Sequence, residues 1–135
     1  MTREQLIERY NSGERNFSNL DLSGLNLTGV KLKDAILEGA NLEGAKLTGA
    51  NLKWAILTGA ILTGAILEGA ILKGANLEWA ILRWANLKGA NLTRAILRNA
   101  NLEGANLTGA ILTLTKLAGA KLAGANLEDA IGIEF

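Results

Sequence analysis

The 135-residue chain contains no cysteine, no histidine and no proline. Without cysteine there is no disulfide framework, no thiol nucleophile and no thiolate metal site. Without histidine the commonest general base and metal ligand is missing. The lack of proline suits a chain with few irregular loops. Serine occurs only at Ser12, Ser18 and Ser23, and aspartate only at Asp21, Asp34 and Asp129. None of these pairs a nucleophile with a base at a workable spacing, so no enzyme, no cofactor and no metal site is expected. Charge of one sign is lacking too: 14 basic against 13 acidic residues leave +1, which predicts neither general nucleic-acid affinity nor acidic mimicry of DNA. No apolar run approaches the roughly 18–20 residues of a membrane helix. The start carries Arg3, Glu4, Glu8 and Arg9, unlike a signal peptide, so a cytoplasmic protein with no membrane contact is expected.

What the chain has is repetition. Phe17 begins a series in which the central residue recurs every five positions to Leu127, 23 times, with leucine in all but the first. Two residues before each centre stands alanine, from Ala35 to Ala110 and again at Ala120, Ala125 and Ala130. Two residues after it stands glycine in most repeats, as at Gly39, Gly44 and Gly59. A helix advances about 100° per residue, so a five-residue spacing would spiral the leucines around the rod and give no apolar face. Frequent glycine would add roughly 1 kcal/mol of cost each. In extended geometry, residues two apart share a side, so Ala and Leu face inward together. The residues flanking each leucine then face out, and glycine accepts the φ of a corner. Each pentapeptide is a very short strand ending in a turn, and only stacking many of them buries the column.

The stretch "ANLEGAKLTGANLKW", residues 40–54, resembles the A-(D/N)-L-x-x signature of the pentapeptide-repeat proteins, and the likeness spans residues 15–130. The resemblance implies an all-β solenoid, a right-handed quadrilateral β-helix with four pentapeptides per coil. Twenty-three repeats then make about 5.75 coils of 20 residues. Three segments follow: residues 1–14 as an N-terminal helical cap, 15–130 as the β-helix, and 131–135 as a short tail.

A 20-residue coil stacks residue n beneath residue n+20. Glu68 then faces Lys88, Glu78 faces Arg98, and Arg83 faces Glu103, three opposite-charge pairs at one offset. Lys33, Lys53 and Lys73 stack like on like and, with Lys31, mark a candidate basic strip. At the N-terminus, Thr2 with Gln5 has capping-box spacing, Leu6, Ile7 and Tyr10 form an apolar patch, and Gly13 is a helix terminator. Leu20, Leu25, Val30 and Phe17, larger than alanine or placed first, suit the space under such a helix. At the other end Gly132 takes the next central position and the repeat stops. Ile131, Ile133 and Phe135 are there the candidate contacts of a tail-to-tail homodimer, with a self-cap by Phe135 as the alternative.

Ile56, Ile61, Ile66 and Ile71 fall at consecutive outward positions, an apolar belt. Trp79 and Trp84 flank the side that carries Ile81, with Ile61 one coil below and Arg83 in the middle. These five residues, Ile61, Trp79, Ile81, Arg83 and Trp84, are the candidate surface for a protein partner. In the structural alternative, each indole lies flat on the glycine one coil below, Gly59 or Gly64. Outward asparagines, such as Asn41, Asn51, Asn76 and Asn126, are expected to bond backbone and stacked neighbours. Arg94, Arg98 and Asn99 gather near one corner, with the irregular Leu114 and Thr115 a coil above.

The reading that follows is a non-catalytic scaffold or binding module of bacterial type. Some members of the resembled family mimic DNA and act on type II topoisomerases, but such mimicry needs a strongly acidic surface, which a charge of +1 does not supply. A near-consensus or engineered repeat with no specific partner is the third reading.

Overall fold

The structure, a computed structural model, describes all of residues 1–135. It has one helix, α1, at Arg3–Asn11, and beyond it neither a further helix nor a continuous strand. The body is held by isolated parallel bridges, each joining a residue to the one 20 positions on, from Asn16↔Ile36 to Ile111↔Ile131. Four repeats separate each bridged pair, so the wall returns to the same side after four corners. The expected strands are thus as short as strands can be: one bridged residue per repeat, cut off by the turn that follows.

The backbone of residues 55–59 shows how such short pieces are satisfied. Ala55 N–H donates to Leu52 O across the corner, at 3.0 Å. Ile56 N–H donates to Ala35 O in the preceding coil, at 2.9 Å. Leu57 and Gly59 N–H donate to Asn76 O and Glu78 O in the next coil, at 2.6 and 3.0 Å. One N–H per repeat, here that of Thr58, has no backbone acceptor and faces outward. Where asparagine precedes the leucine, its Oδ1 takes that bond: Glu78 N–H donates to Asn76 Oδ1 at 3.0 Å. The same local bond forms at Asn41, Asn51, Asn86, Asn91, Asn101, Asn106 and Asn126. It also forms at Asn16, Asp21 and Asn26. The expectation of asparagine bonding its stacked neighbours is therefore corrected. The side chain serves its own turn, because the donor two residues on is nearer than the next coil.

The inward residues form one continuous cluster of 38 buried side chains, the leucine centres and alanines of the repeats with Leu6, Phe17 and Val30. Burying each leucine stabilises the stack by roughly 1.5–3 kcal/mol relative to exposure. Every corner residue has positive φ, glycine or not. Nine are not glycine: Asn19, Asp34, Trp54, Trp79, Trp84, Arg94, Asn99, Leu114 and Asp129. Positive φ at the third turn residue is the type II pattern that favours glycine. At these nine positions the repeating wall holds a side chain in a conformation its own Cβ opposes.

α1 is seated on the N-terminal end of this core. Its capping box forms in both directions between Thr2 and Gln5. At its far end Gly13 N–H reaches Tyr10 O and Glu14 N–H reaches Arg9 O, a Schellman closure with Gly13 at φ 104. Leu6 is fully buried, and Phe17 and Val30 lie buried below, with Leu20 and Leu25 half-buried. Arg3 donates to Asn26 O at 2.8 Å and Tyr10 Oη to Lys33 O at 2.7 Å, pinning the helix to the coil beneath. The Arg15 guanidinium stacks 3.7 Å from the Tyr10 ring centroid.

The opposite end is more open. Leu117, Ala120, Leu122, Ala125, Leu127 and Ala130 keep the inward position but are only partly buried. Ile133 packs partly against them, while Ile131 is 59% and Phe135 90% exposed. A self-cap by Phe135 is therefore ruled out: its ring points into solvent. Thr115 takes an alanine's place and is buried, with Oγ1 donating to Leu92 O at 2.7 Å. The hydroxyl is tolerated because a turn carbonyl lies within its reach.

Candidate partner-binding surface

The side centred on Leu62, Leu82 and Leu102 brings all five of the expected partner-surface residues together. Ile61 and Ile81 are bridged directly, one above the other. Trp79 and Trp84 stand at the two corners flanking Ile81, at φ 62 and 60, and are 61% and 64% exposed. Arg83 is exposed between Ile81 and Trp84. Aromatic and arginine side chains are favoured at binding surfaces.

The indoles do not rest where the structural alternative placed them. The space over Gly59 and Gly64 is open. Trp84 instead lies against Gly104, one coil above, and Trp54 likewise against Gly74. A corner residue's own N–H points to the next coil, as in Trp84 N to Glu103 O, and its side chain leans the same way. Glycine above leaves room for a flat ring. Trp79 has Asn99 above it instead of glycine, and it stands against neither Gly59 nor any other glycine.

The stacked charges share columns as expected but mostly do not close. Bridges Ile66↔Asn86 and Ile81↔Asn101 set Glu68 beneath Lys88 and Arg83 beneath Glu103, yet neither pair comes within 4.0 Å. Only Glu78 and Arg98 touch, at 4.0 Å, both partly exposed. Long side chains in water gain too little from such a pair to be held in one geometry. The other ion pair joins Arg9 to Glu14 beside α1.

Lys33, Lys53 and Lys73 form an unbroken column, with Lys31 on the far margin of the same side. None has a carboxylate within 4.0 Å. Sequence reasoning left out Trp54, which stands at the adjoining corner, 45% exposed, with Lys53 Nζ 5.9 Å from its ring centroid. Its signal was the glycine 20 residues later, the same spacing that seats Trp84.

One titrating group stands out. Asp21 is held below the usual carboxylate value of 3.8, first by the Ser23 hydroxyl and then by the Ser23 N–H, both donating to its Oδ1. No three acidic side chains converge as a metal site would require. No helix is long and apolar enough to cross a membrane.

Likeness to known proteins follows the repeat. The family model described as pentapeptide repeats matches in eight copies, between residues 16 and 134. The crystal structure of Rfr23, a pentapeptide repeat protein from the cyanobacterium Cyanothece 51142, is 30% identical, with a TM-score of 0.63. The match covers 96% of this chain and 99% of that one. A pentapeptide repeat protein of the Arabidopsis thaliana thylakoid lumen is 39% identical over 76% of this chain and 69% of its own, at a TM-score of 0.47. Trypsin-treated QnrB1, a plasmid-mediated fluoroquinolone resistance protein, is 20% identical at a TM-score of 0.52, over 85% of this chain and 64% of its own. At that identity QnrB1 shares the fold alone. No curated protein matches the sequence.

Proposed function

The chain belongs to the pentapeptide-repeat family, whose members fold as right-handed β-helices, and from that premise we propose that it is a non-catalytic scaffold whose walls bind another protein. The solenoid has about 5.75 coils, and α1 serves as its lid; the 20-residue bridges and the burial of Leu6 support that architecture. The observation that carries the functional reading is the pair Trp79 and Trp84, exposed on either side of Ile81. Their indoles offer apolar area at little conformational cost, the property that makes tryptophan a frequent anchor at interfaces. The flat wall, the chain's balanced charge and the absence of a nucleophile–base pair all agree with binding rather than catalysis.

Affinity capture from the native host with the whole chain tests this. The expected result is one specific protein retained by the wild type and lost with Trp79→Ala/Trp84→Ala. Equal retention by both would remove these residues from any interface.

The tail supplies a second contact. Ile131 and Phe135 are exposed beside the half-covered leucines of the last coil, and Ile133 packs partly against them. In this reading they pair tail to tail in a homodimer. Light scattering at high micromolar concentration is expected to give twice the chain mass, and Phe135→Asp the single mass.

A further inference from the structure

The corner that carries Trp54 joins two unlike columns. On one flank stand Lys33, Lys53 and Lys73; on the other stand Ile36, Ile56, Asn76 and Ile96, with Lys116 above them. Along the corner itself run Asp34, Trp54, Gly74, Arg94 and Leu114. The edge is thus basic on one side, aliphatic on the other, and aromatic on its crest. The corner and its two adjoining columns hold five of the chain's 14 basic residues and, apart from Glu134 at the tail, a single acidic one, Asp34; Lys31 lies on the far margin of the lysine side, and Glu38, Glu78 and Arg98 on that of the isoleucine side.

We infer that this edge docks an acidic amphipathic helix of a partner protein, lying along the solenoid axis. The inference extends the binding-module reading to a second surface, diagonally opposite Trp84 and sharing with the Trp79 corner only the side that carries Ile56 and Asn76. Three features select that occupant. The lysines have no acidic neighbour of their own within 4.0 Å, so their charge is uncompensated. Their spacing suits a helix: bridged residues repeat at about 4.8 Å, so Lys33 to Lys73 spans roughly 10 Å. Side chains at i, i+4 and i+7 of a helix span roughly 10.5 Å, so one row of carboxylates meets all three ammonium groups. The adjoining row of Ile36, Ile56 and Ile96 then meets the helix's apolar stripe, and Trp54, flat on Gly74, presents its free face between the two. A nucleic acid strand would leave the isoleucine column unused and find only one indole on which to stack.

The test uses the whole chain and a labelled helical peptide with glutamates at i, i+4 and i+7 and leucines at i+1, i+5 and i+8. Binding is followed by fluorescence anisotropy. The peptide is expected to bind at least about tenfold more tightly than a scramble of identical composition. Lys33→Glu/Lys53→Glu/Lys73→Glu is expected to weaken it by at least about tenfold, and raised salt to weaken it progressively. Lys33→Gln/Lys53→Gln/Lys73→Gln, with its thermal midpoint measured alongside, separates lost charge from lost fold. Equal binding of the scramble, unchanged binding by a folded lysine variant, or tighter binding of a single-stranded oligonucleotide or of anionic vesicles would each overturn the proposal. Any of these would leave the Trp79 and Trp84 surface standing.

Discussion

Trp84 lies flat against Gly104, one coil above it, and a Cβ built on that glycine would sit inside the indole. The same corner column holds Gly44, whose surroundings are open. The two glycines share nearly the same backbone, φ 66 and 69, so they separate the effect of conformation from that of the ring. Gly44→Ala is expected to cost about 1 kcal/mol, the conformational term alone. Gly104→Ala is expected to cost about 2 kcal/mol or more, because the indole must also move. Urea unfolding of both variants, with the tryptophan emission shifting to the red only in Gly104→Ala, checks this.

The corner at Leu114 runs the other way. Its side chain is 54% exposed at φ 59, so it gives up conformational energy for little packing. Leu114→Gly is expected to raise stability by roughly 0.5–1 kcal/mol, read as a higher melting temperature. A lower one would mean that the leucine's surface contacts outweigh its strain.

The local asparagine bonds leave a pattern in amide exchange. Glu43, Glu78 and Glu103 N–H are each held by an asparagine two residues before. Thr58, Thr63 and Glu68 follow isoleucine and have no such acceptor. Hydrogen exchange followed by NMR is expected to be slower at the first three. Asn76→Ala is expected to release Glu78 alone and to destabilise by about 1 kcal/mol.

Asp21 makes the N-terminal coil sensitive to acid. Its carboxyl titrates below 3.8 because Ser23 donates to the ionised form. A depressed folded-state value means that the contribution is present above the unfolded value and disappears as pH falls through the folded one. Ser23→Ala is expected to return the Asp21 titration, followed by carboxyl NMR shifts, towards 3.8. An unchanged midpoint would show that the serine hydroxyl is not its main cause.

Leu6 fastens α1 to the solenoid. Because it is fully buried over Phe17 and the first leucines, Leu6→Ala is expected to cost about 2–4 kcal/mol. Circular dichroism is expected to show the helical signal lost before the body melts, since the Arg3 and Tyr10 hydrogen bonds and the partly buried Ile7 then carry most of the helix's attachment.

The five-residue period by itself determined the sides of the wall. Leucine and alanine two apart had to share a face, whereas the 20-residue return was implied only by the family resemblance; the bridges have it, with Glu68 under Lys88 and Ile61 under Ile81. It also settled α1, since Thr2, Gln5 and Gly13 are local signals needing no distant partner. Tertiary structure alone decided which way each corner side chain leans, and hence that Trp84 seats on Gly104 and not Gly64. It decided too that Glu78 reaches Arg98 while Glu68 misses Lys88. The division is physical: burying a repeated column fixes the backbone register through many identical contacts, whereas an exposed side chain at a corner obeys the single neighbour that its backbone happens to face.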